Sequence, residues 1–253
     1  MNSKKEGKYA YCIIDVKQEK KFGPIGMGNR SDEVYTVHYR DMAMVVSNTP
    51  VTVYTPIKEN ALVHEKVIAE VMKAHTVVPM SFGIIFKSDK QIGLLLKQNY
   101  SEIKKMLRKL KNRVELGLKV FLKKECFADE IEQDNPEITK LKKEIASLPA
   151  AQIFHKKIQL GTLVQAVVEA KRLQYSGEIY DQLKAYVVDA RLNDTVGERM
   201  VLNSAFLVDR DREQEFDEKV NGVYLKYCDR MEFKYSGPWP PYNFVNIKMK
   251  LES

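Results

Sequence analysis

The sequence is poor in the residues that form covalent or metal-based cross-links. Its 253 residues include three cysteines, Cys12, Cys126 and Cys228, and four histidines. An odd number of cysteines without CxxC spacing excludes a disulfide framework and the usual zinc-site spacing, and it favours a reducing compartment. No apolar run approaches the roughly 18 to 20 residues that span a bilayer, and no signal-peptide core follows the charged N-terminus. We therefore expect a cytoplasmic protein with no membrane partner.

Charge of neither sign dominates the composition. Lys and Arg number 41 and Asp and Glu 34, which gives a formal net charge of +7, and 44% of the residues are hydrophobic. This balance is typical of a globular protein and excludes a largely disordered chain. The excess of basic residues permits an acidic partner without requiring one. The length fits one large or two small domains, because a domain averages roughly 150 residues.

Motifs for catalysis and cofactor binding are missing. His64 and Glu65 begin an HExxH pattern, but Ile68 stands where a metalloprotease needs its second histidine. No GxSxG nucleophile motif occurs. The glycine loop at 23–28 lacks the GxGxxG spacing and leads to a strand, whereas phosphate sites use the amides of a helix N-terminus. The residues therefore predict no enzyme, no catalytic residues, no cofactor and no metal site.

Hydrophobic periodicity divides the first third of the chain into strands followed by helices. Tyr9–Val16 is a nearly continuous apolar run, which predicts a strand buried on both faces. Arg40 and Asp41 separate two further strands by a two-residue hairpin connection. Asn60 is the predicted N-cap of a helix that begins at Ala61. The other predicted elements are strands at 34–39 and 42–47 and helices that begin near Ser88 and Ser101.

The second part of the chain opens with the clearest strand pattern, at Val114–Phe121. Apolar residues alternate there with Glu115, Gly117 and Lys119, so these three are expected on a solvent-facing side. The further predicted elements are a helical insertion at about 123–158, a helix at 160–185, strands at 186–192 and 200–208, a helix at 212–227, and strands at 231–235 and 245–251. Without the insertion, the order from residue 112 contains βαββαβ, which is the ferredoxin-like pattern.

We therefore predict an α+β protein of two domains. The N-terminal α+β domain comprises residues 1–111. The second domain, 112–253, is predicted to be a modified ferredoxin-like domain (βαββαβ) with a helical extension at about 123–158. Because ferredoxin-like sheets can bind RNA, an RNA- or phosphate-binding module is an alternative function for this domain.

A cluster of basic residues bears on that alternative. Seven of them lie between Lys97 and Arg113, and Ser81–Lys87 faintly resembles an RNA-binding aromatic motif that has lost its leading basic residue and glycine. Glu102 and Glu115 flank the cluster, so a solvated helix face explains it more simply. We therefore predict no nucleic-acid partner, and the RNA- or phosphate-binding module stays as the alternative.

Several stretches, spread from residue 9 to about 247, together resemble one family. They are YAYCIIDV (9–16), the glycine loop (23–28), VHYRDMAMVVS (37–47), LVHEKVI (62–68), VVPMSFGIIF (77–86), RVELGLKV (113–120) and SGPWPPYNF (236–244). Singly each stretch is unspecific, but their order is specific, and the last stretch is the most specific of them. On these residues the chain is similar to the gas vesicle protein GvpL/GvpF family.

The resemblance implies an accessory or minor structural protein of gas vesicles, the gas-filled protein shells that give prokaryotic cells buoyancy. It implies two α+β domains, the second a modified ferredoxin-like domain with a helical extension. It also implies binding to the hydrophobic shell subunit GvpA and to other accessory Gvp proteins during assembly, in the gas vesicle and the cytoplasm. The family has no known catalytic residues to carry over to this chain.

The single tryptophan lies in the most specific of the matching stretches. Trp239 is surrounded by prolines and a tyrosine, and a rigid aromatic group is a typical anchor for a protein partner. We therefore predict partner binding by Trp239, Pro240, Pro241 and Tyr242. The alternative is that Trp239 folds back and fills the core of the second domain, because a lone tryptophan is usually largely buried.

Overall fold

The computed structural model describes residues 6–28, 32–123, 131, 135–149 and 153–247. The chain has a mixed α/β fold with two antiparallel sheets, which confirms the predicted mixture of strands and helices. Its contacts form two compact units, one of Met1–Glu115 with Pro238–Ser253 and one of Leu116–Gly237. The sequence placed all residues after 111 in the second domain, so the structure differs for the C-terminal segment. That segment contacts the first unit because Phe244 is buried there and Asn243 is bonded to Glu115.

The first unit contains a six-stranded sheet and three helices. The strand order is β2-β3-β4-β1-β5, and β6 also pairs with β1. β1 is therefore an inner strand, which accounts for the continuous apolar character of its sequence. The strands are β1 (Glu6–Asp15), β2 (Lys21–Gly23), β3 (Val34–Tyr39), β4 (Met42–Pro50), β5 (Val77–Pro79) and β6 (Ile85–Phe86), and the helices are α1 (Lys58–Met72), α2 (Asp89–Gln98) and α3 (Tyr100–Leu110).

The local signals of the first unit agree with most of these elements. β3 and β4 form the predicted hairpin, with Tyr39 opposite Met42 and Arg40 at a positive φ of 56°. The Ser88 hydroxyl accepts a bond from the Gln91 amide at the start of α2, as an N-cap does. The predicted start of α1 at Ala61 is wrong, because the helix begins at Lys58. The side chain of Asn60 instead donates to the Thr55 carbonyl (2.9 Å).

The second unit contains most of a four-stranded sheet with the order β10-β7-β9-β8. β10 lies at the edge of this sheet, and it runs through Pro238, which an edge strand tolerates because its outer amides need no partner. The strands are β7 (Arg113–Leu122), β8 (Asp189–Leu192), β9 (Met200–Asp209) and β10 (Met231–Trp239), and the helices are α4 (Pro136–Ser147), α5 (Ile153–Lys184) and α6 (Glu213–Tyr227).

The predicted helical insertion corresponds in part to α4, whose inner residues Ile138 and Leu141 are buried. Residues 124–130, 132–134 and 150–152, with the candidate Cys126, lie outside the described residues. The long helix α5 packs against α4 and β9, yet its fully buried residues are confined to its C-terminal part: Tyr175, Ile179 and Leu183. The apolar residues that precede them on α5 are only partly covered.

The last predicted strand is not formed where the structure describes it. Tyr242–Phe244 is a short 3-10 turn, and residues 245–247 have no regular structure. Residues 248–251 of that prediction lie outside the described residues. The physical reason is that the two consecutive prolines after Trp239 lack amide donors and end the extended segment, and Phe244 then enters the core of the first unit.

Candidate functional site

The predicted partner-binding residues lie together in a segment that we call the aromatic segment (Trp239–Phe244). Trp239 is the last residue of β10 and is 40% exposed, and Tyr242 is 38% exposed. Pro240 and Pro241, between them, are buried. The segment therefore has two aromatic groups that solvent can reach, and they flank two buried proline rings. Trp239 does not fill a core, so the alternative prediction of a core tryptophan is wrong.

A buried glutamate holds this segment in place. Glu115, at the start of β7, accepts a bond from the backbone amide of Asn243 (2.9 Å) and another from its side-chain amide (2.6 Å). The Glu115 side chain lies in an interior position, and this burial raises the pKa of its carboxyl above the usual range, while the two bonds from Asn243 act in the opposite direction. Two parallel bonds to a carboxylate fix both the position and the orientation of the partner group.

The end of the segment is fixed by an aromatic anchor. Phe244 has no exposed surface, and the Lys109 ammonium lies 6.0 Å from the centre of its ring, within the range of a cation–π contact. Between the two anchors, burial raises the pKa of the Tyr242 hydroxyl, and the nearby carboxylates of Glu65 and Glu115 contribute in the same direction. The hydroxyl end of Tyr242 is thus desolvated although part of its ring is exposed.

A network of tyrosines and a histidine forms the adjoining core of the first unit. His64 Nε2 lies 3.2 Å from the Met80 carbonyl oxygen, so this nitrogen carries the proton and donates. The other ring nitrogen, Nδ1, therefore accepts from the Tyr9 hydroxyl at 3.1 Å. The Tyr9 oxygen in turn accepts from the Gly83 amide at 3.0 Å. Burial lowers the pKa of His64, which keeps the imidazole neutral, as this pattern of bonds requires.

This network gives His64 and Tyr9 structural roles. Every polar atom of the His64 ring and of the Tyr9 hydroxyl has a structural partner, so neither group is poised to transfer a proton to a ligand. Cys12 is completely buried in β1, and burial raises the pKa of its thiol. Among the described residues, no group of three or more His, Cys, Asp or Glu side chains is placed to hold a metal ion.

The basic cluster considered for nucleic acid is partly used within the protein. Lys104 Nζ lies 3.0 Å from carboxylate oxygens of both Asp15 and Asp41. Hydrogen bonds from Tyr100 and Lys104 lower the pKa of Asp41 to about 2. The aromatic stretch that faintly resembled an RNA-binding motif also faces inward, since Phe86 is buried and Phe82 packs on the core of the first unit. These contacts account for Lys104, Phe82 and Phe86 within the first unit.

The sequence missed one residue of the site, Glu115. Alternation along β7 assigned it to a solvent-facing side with Lys119, but its partner, Asn243, lies 128 positions later. The available signal was that Glu115 is the only acidic residue of β7 and stands between Val114 and Leu116, which are both apolar. Among the described residues, no helix combines the length and the apolar character needed to cross a bilayer.

Comparisons with known proteins agree over almost the whole chain. Gas vesicle protein F1 of Halobacterium salinarum is 28% identical over 250 residues, which cover 98% of this chain and 96% of the relative. Gas vesicle protein F of Haloferax mediterranei is 28% identical over 242 residues, which cover 94% and 93%. The crystal structure of GvpF from Anabaena matches this fold with a TM-score of 0.82 at 21% identity, covering 96% of this chain and 99% of that one.

A second solved structure and a family model give the same result. The crystal structure of GvpF from Microcystis aeruginosa matches with a TM-score of 0.77 at 22% identity, covering 95% of this chain and 99% of that one. The model of the family described as gas vesicle synthesis protein GvpL/GvpF matches residues 7–246, which include the aromatic segment and Glu115. These matches confirm the resemblance found in the sequence. The chain belongs to the GvpL/GvpF family of gas vesicle synthesis proteins.

Proposed function

We propose that this chain is a non-enzymatic accessory protein that binds the hydrophobic shell subunit GvpA and assists the assembly of gas vesicles. It acts in the cytoplasm and at the vesicle, together with other accessory Gvp proteins. Membership of the GvpL/GvpF family supports a role in gas vesicles. The engagement of His64, Tyr9 and Cys12 in structural contacts supports a role without catalysis.

The physical need for such a partner follows from the shell itself. A subunit that faces gas must carry a large apolar surface, and a large exposed apolar surface makes a free protein prone to aggregation. A soluble protein that covers this surface until the subunit joins the shell would prevent this aggregation. The protein that covers the subunit needs aromatic groups that bind its apolar surface. These groups must not make the covering protein itself aggregate.

The aromatic segment is the observation that carries this proposal. Trp239 and Tyr242 are each more than one third exposed, and the backbone beside them is held by Pro240, Pro241 and the Glu115 carboxylate. Because the segment is already ordered, little conformational entropy is lost when a partner binds. Tryptophan and tyrosine are also the residues that most often supply the central binding energy of a protein interface.

The architecture of the second unit is part of the same proposal. We infer a modified ferredoxin-like domain, in which α4 and the first half of α5 are the extension. The sheet order β10-β7-β9-β8 supports this, since in a βαββαβ unit each helix connects two strands that lie in the sheet with one other strand between them. The aromatic segment then begins where the last strand of that unit ends.

Co-expression with GvpA tests the binding proposal. The chain carries an affinity tag, and the amount of soluble GvpA that co-purifies with it is measured by quantitative mass spectrometry. We expect GvpA to be recovered with the unmodified chain and its amount to fall by roughly tenfold or more with Trp239→Ala, because loss of a central aromatic anchor has an effect of that size. Tyr242→Ala is expected to act in the same direction.

Tyr224→Ala is the matched control, since Tyr224 is an aromatic residue of α6 with similar exposure to Trp239. The control is expected to recover as much GvpA as the unmodified chain. Circular dichroism spectra and melting curves of all variants show whether each one is folded. Failure of the folded, unmodified chain to recover GvpA contradicts the proposed function, and unchanged recovery with Trp239→Ala contradicts the proposed site.

A further inference from the structure

Two exposed apolar residues lie near the N-terminal end of α5, in the second unit. Phe154 is 68% exposed and Ile158 is 54% exposed. From Phe154 the same helix face continues through positions spaced alternately four and three residues apart, which is the spacing of a helix-pairing seam. We call this face the α5 seam; its members are Phe154, Ile158, Gly161, Gln165, Val168 and Arg172.

The C-terminal two thirds of the α5 seam form one wall of a groove. The groove has a volume of about 650 Å³. α4 also contributes Ile138 and Lys142 to the lining, and the end of β7 contributes Leu122 and Lys123. Aliphatic side chains of β7, α4 and α5 therefore line the interior of the groove. Phe154 and Ile158 extend the same apolar surface along α5 beyond the groove.

The rim of the groove has an excess of positive charge. Four of its described residues are basic and two are acidic; they are Lys123, Lys142, Arg172, Arg199, Glu169 and Glu198. Glu169 lies 3.2 Å from Arg172, so these two charges neutralise each other and the excess of two positive charges is unchanged. A binding partner that is apolar along one face and acidic beside that face complements this surface.

Gly161 marks the place where a partner can approach most closely. It lies in the interior of a 32-residue helix, where glycine is about 1 kcal/mol less favourable than alanine, and it lines the groove. No atom of the described residues lies within 4 Å of the position that a Cβ of residue 161 would occupy. Packing within the described part of the chain therefore does not require a glycine here, whereas close approach of a second helix does benefit from one.

We propose that the α5 seam and the adjoining groove bind an amphipathic α-helix whose apolar stripe is flanked by acidic residues. The stripe packs on Phe154, Ile158 and the groove floor, its closest approach is at Gly161, and its acidic residues face the basic rim. From Phe154 to Arg172 the seam is about 27 Å long, because a helix rises 1.5 Å per residue. This length accommodates five turns of a partner helix.

A helix fits these observations better than a small amphipathic anion does. The groove alone is large enough for a small molecule. A small molecule would not explain why the apolar face continues to Phe154 and Ile158 in heptad spacing. The inference rests on the proposed function in one respect only: the helix belongs to another gas vesicle protein. Its surface is separate in the chain from the aromatic segment, so the two can be tested independently.

Two synthetic peptides of 21 residues test the proposal with the full chain. Both have leucine at the a and d positions of three heptads; one has glutamate at the e and g positions, and the other has lysine. Like charges at these positions disfavour pairing of each peptide with itself. Fluorescence anisotropy at low salt is expected to show binding of the glutamate peptide, and affinity for the lysine peptide at least tenfold weaker.

Variants of the chain locate the binding. Gly161→Leu, which fills the groove, is expected to lower the affinity for the glutamate peptide at least tenfold. Arg199→Glu is expected to lower the affinity for the glutamate peptide and to raise the affinity for the lysine peptide. Leu173→Ala is the matched control, because Leu173 is an exposed apolar residue of α5 outside the seam, and it is expected to leave both affinities unchanged. Helical circular dichroism and melting temperatures show whether each variant is folded.

Four results would overturn the proposal. The first is equal affinity for the two peptides, and the second is glutamate-peptide binding that folded Gly161→Leu retains. The third is that neither peptide binds, while dodecanoate, a small amphipathic anion, binds to the unmodified chain and not to Gly161→Leu. That result would assign the groove to a small anion. The fourth is a dimer of the unmodified chain that Gly161→Leu converts to a monomer, which would assign the seam to a second copy. Loss of GvpA recovery with Trp239→Ala has no bearing on any of them.

Discussion

β1 and the first half of α5 are both rich in apolar residues, but the structure uses them in opposite ways. Every residue from Tyr9 to Ile14 has 0% exposure. On α5, by contrast, Phe154 and Ile158 are more than half exposed, and the buried residues begin only at Tyr175. The apolar content of the sequence is similar in the two segments, so composition alone does not explain the difference.

The difference comes from the number of neighbours that each element has. β1 pairs with β4 on one side and with β5 and β6 on the other, and α1 and α3 pack against it. α5 packs against α4, β9 and α6, and its buried residues lie only in its C-terminal part. The apolar residues of β1 therefore stabilise the first unit, whereas those of the first half of α5 remain available for another molecule. The predictions below test this contrast, beginning with the largest expected effect.

Replacing one isoleucine in each segment gives the sharpest comparison. Ile14→Ala removes a fully buried side chain and is expected to lower the free energy of unfolding by about 2 to 5 kcal/mol. Ile158→Ala removes an exposed side chain and is expected to change it by less than about 0.5 kcal/mol. Urea unfolding followed by circular dichroism measures both values. Similar losses for the two variants would show that the exposed seam is in fact part of a core.

The same contrast shows which features the sequence can predict. Apolar periodicity located β1, β7 and β9 to within a few residues, because burial of one face depends on local spacing, whereas α5 begins seven residues before its predicted start at residue 160. It could not show whether anything covers that face, so it did not predict the exposed positions of Phe154 and Ile158. Periodicity also placed Glu115 on the solvent side, since the Asn243 amides that compensate its burial come from a distant part of the chain.

Loss of the Glu115 carboxylate is expected to release the aromatic segment. Glu115→Ala leaves both amide donors of Asn243 without their acceptor, which costs about 1 to 3 kcal/mol for buried groups. We expect faster chymotrypsin cleavage within the aromatic segment and a lower melting temperature. Glu232→Ala, at an exposed position of the edge strand β10, is the control and should change neither result. An unchanged cleavage rate in Glu115→Ala would mean that Phe244 alone holds the segment.

The first unit contains a buried histidine, His64, whose contribution to stability depends on pH. Burial lowers the pKa of His64, so the unfolded chain binds a proton at higher pH than the folded chain does. Stability from the neutral His64 is therefore present above about pH 6.5 and decreases as the pH falls towards the folded-state pKa, by at most about 1.4 kcal/mol per pH unit. Urea unfolding at pH 7.5 and 5.5 is expected to show this decrease.

Two glutamine variants separate His64 from the other titrating groups. His64→Gln is expected to make the decrease in stability between pH 7.5 and 5.5 smaller, whatever its effect at neutral pH, because glutamine does not titrate. His155→Gln, at an exposed position of α5, is the matched control and should show the decrease of the unmodified chain. A decrease of the same size in all three proteins would contradict the assignment to His64.

Substitutions at two glycines are expected to change stability with opposite signs, and the smaller of these two effects is the smallest expected here. A Cβ at Gly7 in β1 would lie 2.8 Å from the Phe86 carbonyl oxygen, so Gly7→Ala must displace backbone and is expected to destabilise the first unit by about 1 to 3 kcal/mol. Gly161→Ala meets no described atom within 4 Å and replaces glycine inside a helix, so it is expected to stabilise the protein by about 0.5 to 1 kcal/mol. Urea unfolding of both variants measures the two signs. If Gly161→Ala proved destabilising, Gly161 would be required by packing within the chain, and the reason for assigning its surface to a partner helix would be lost.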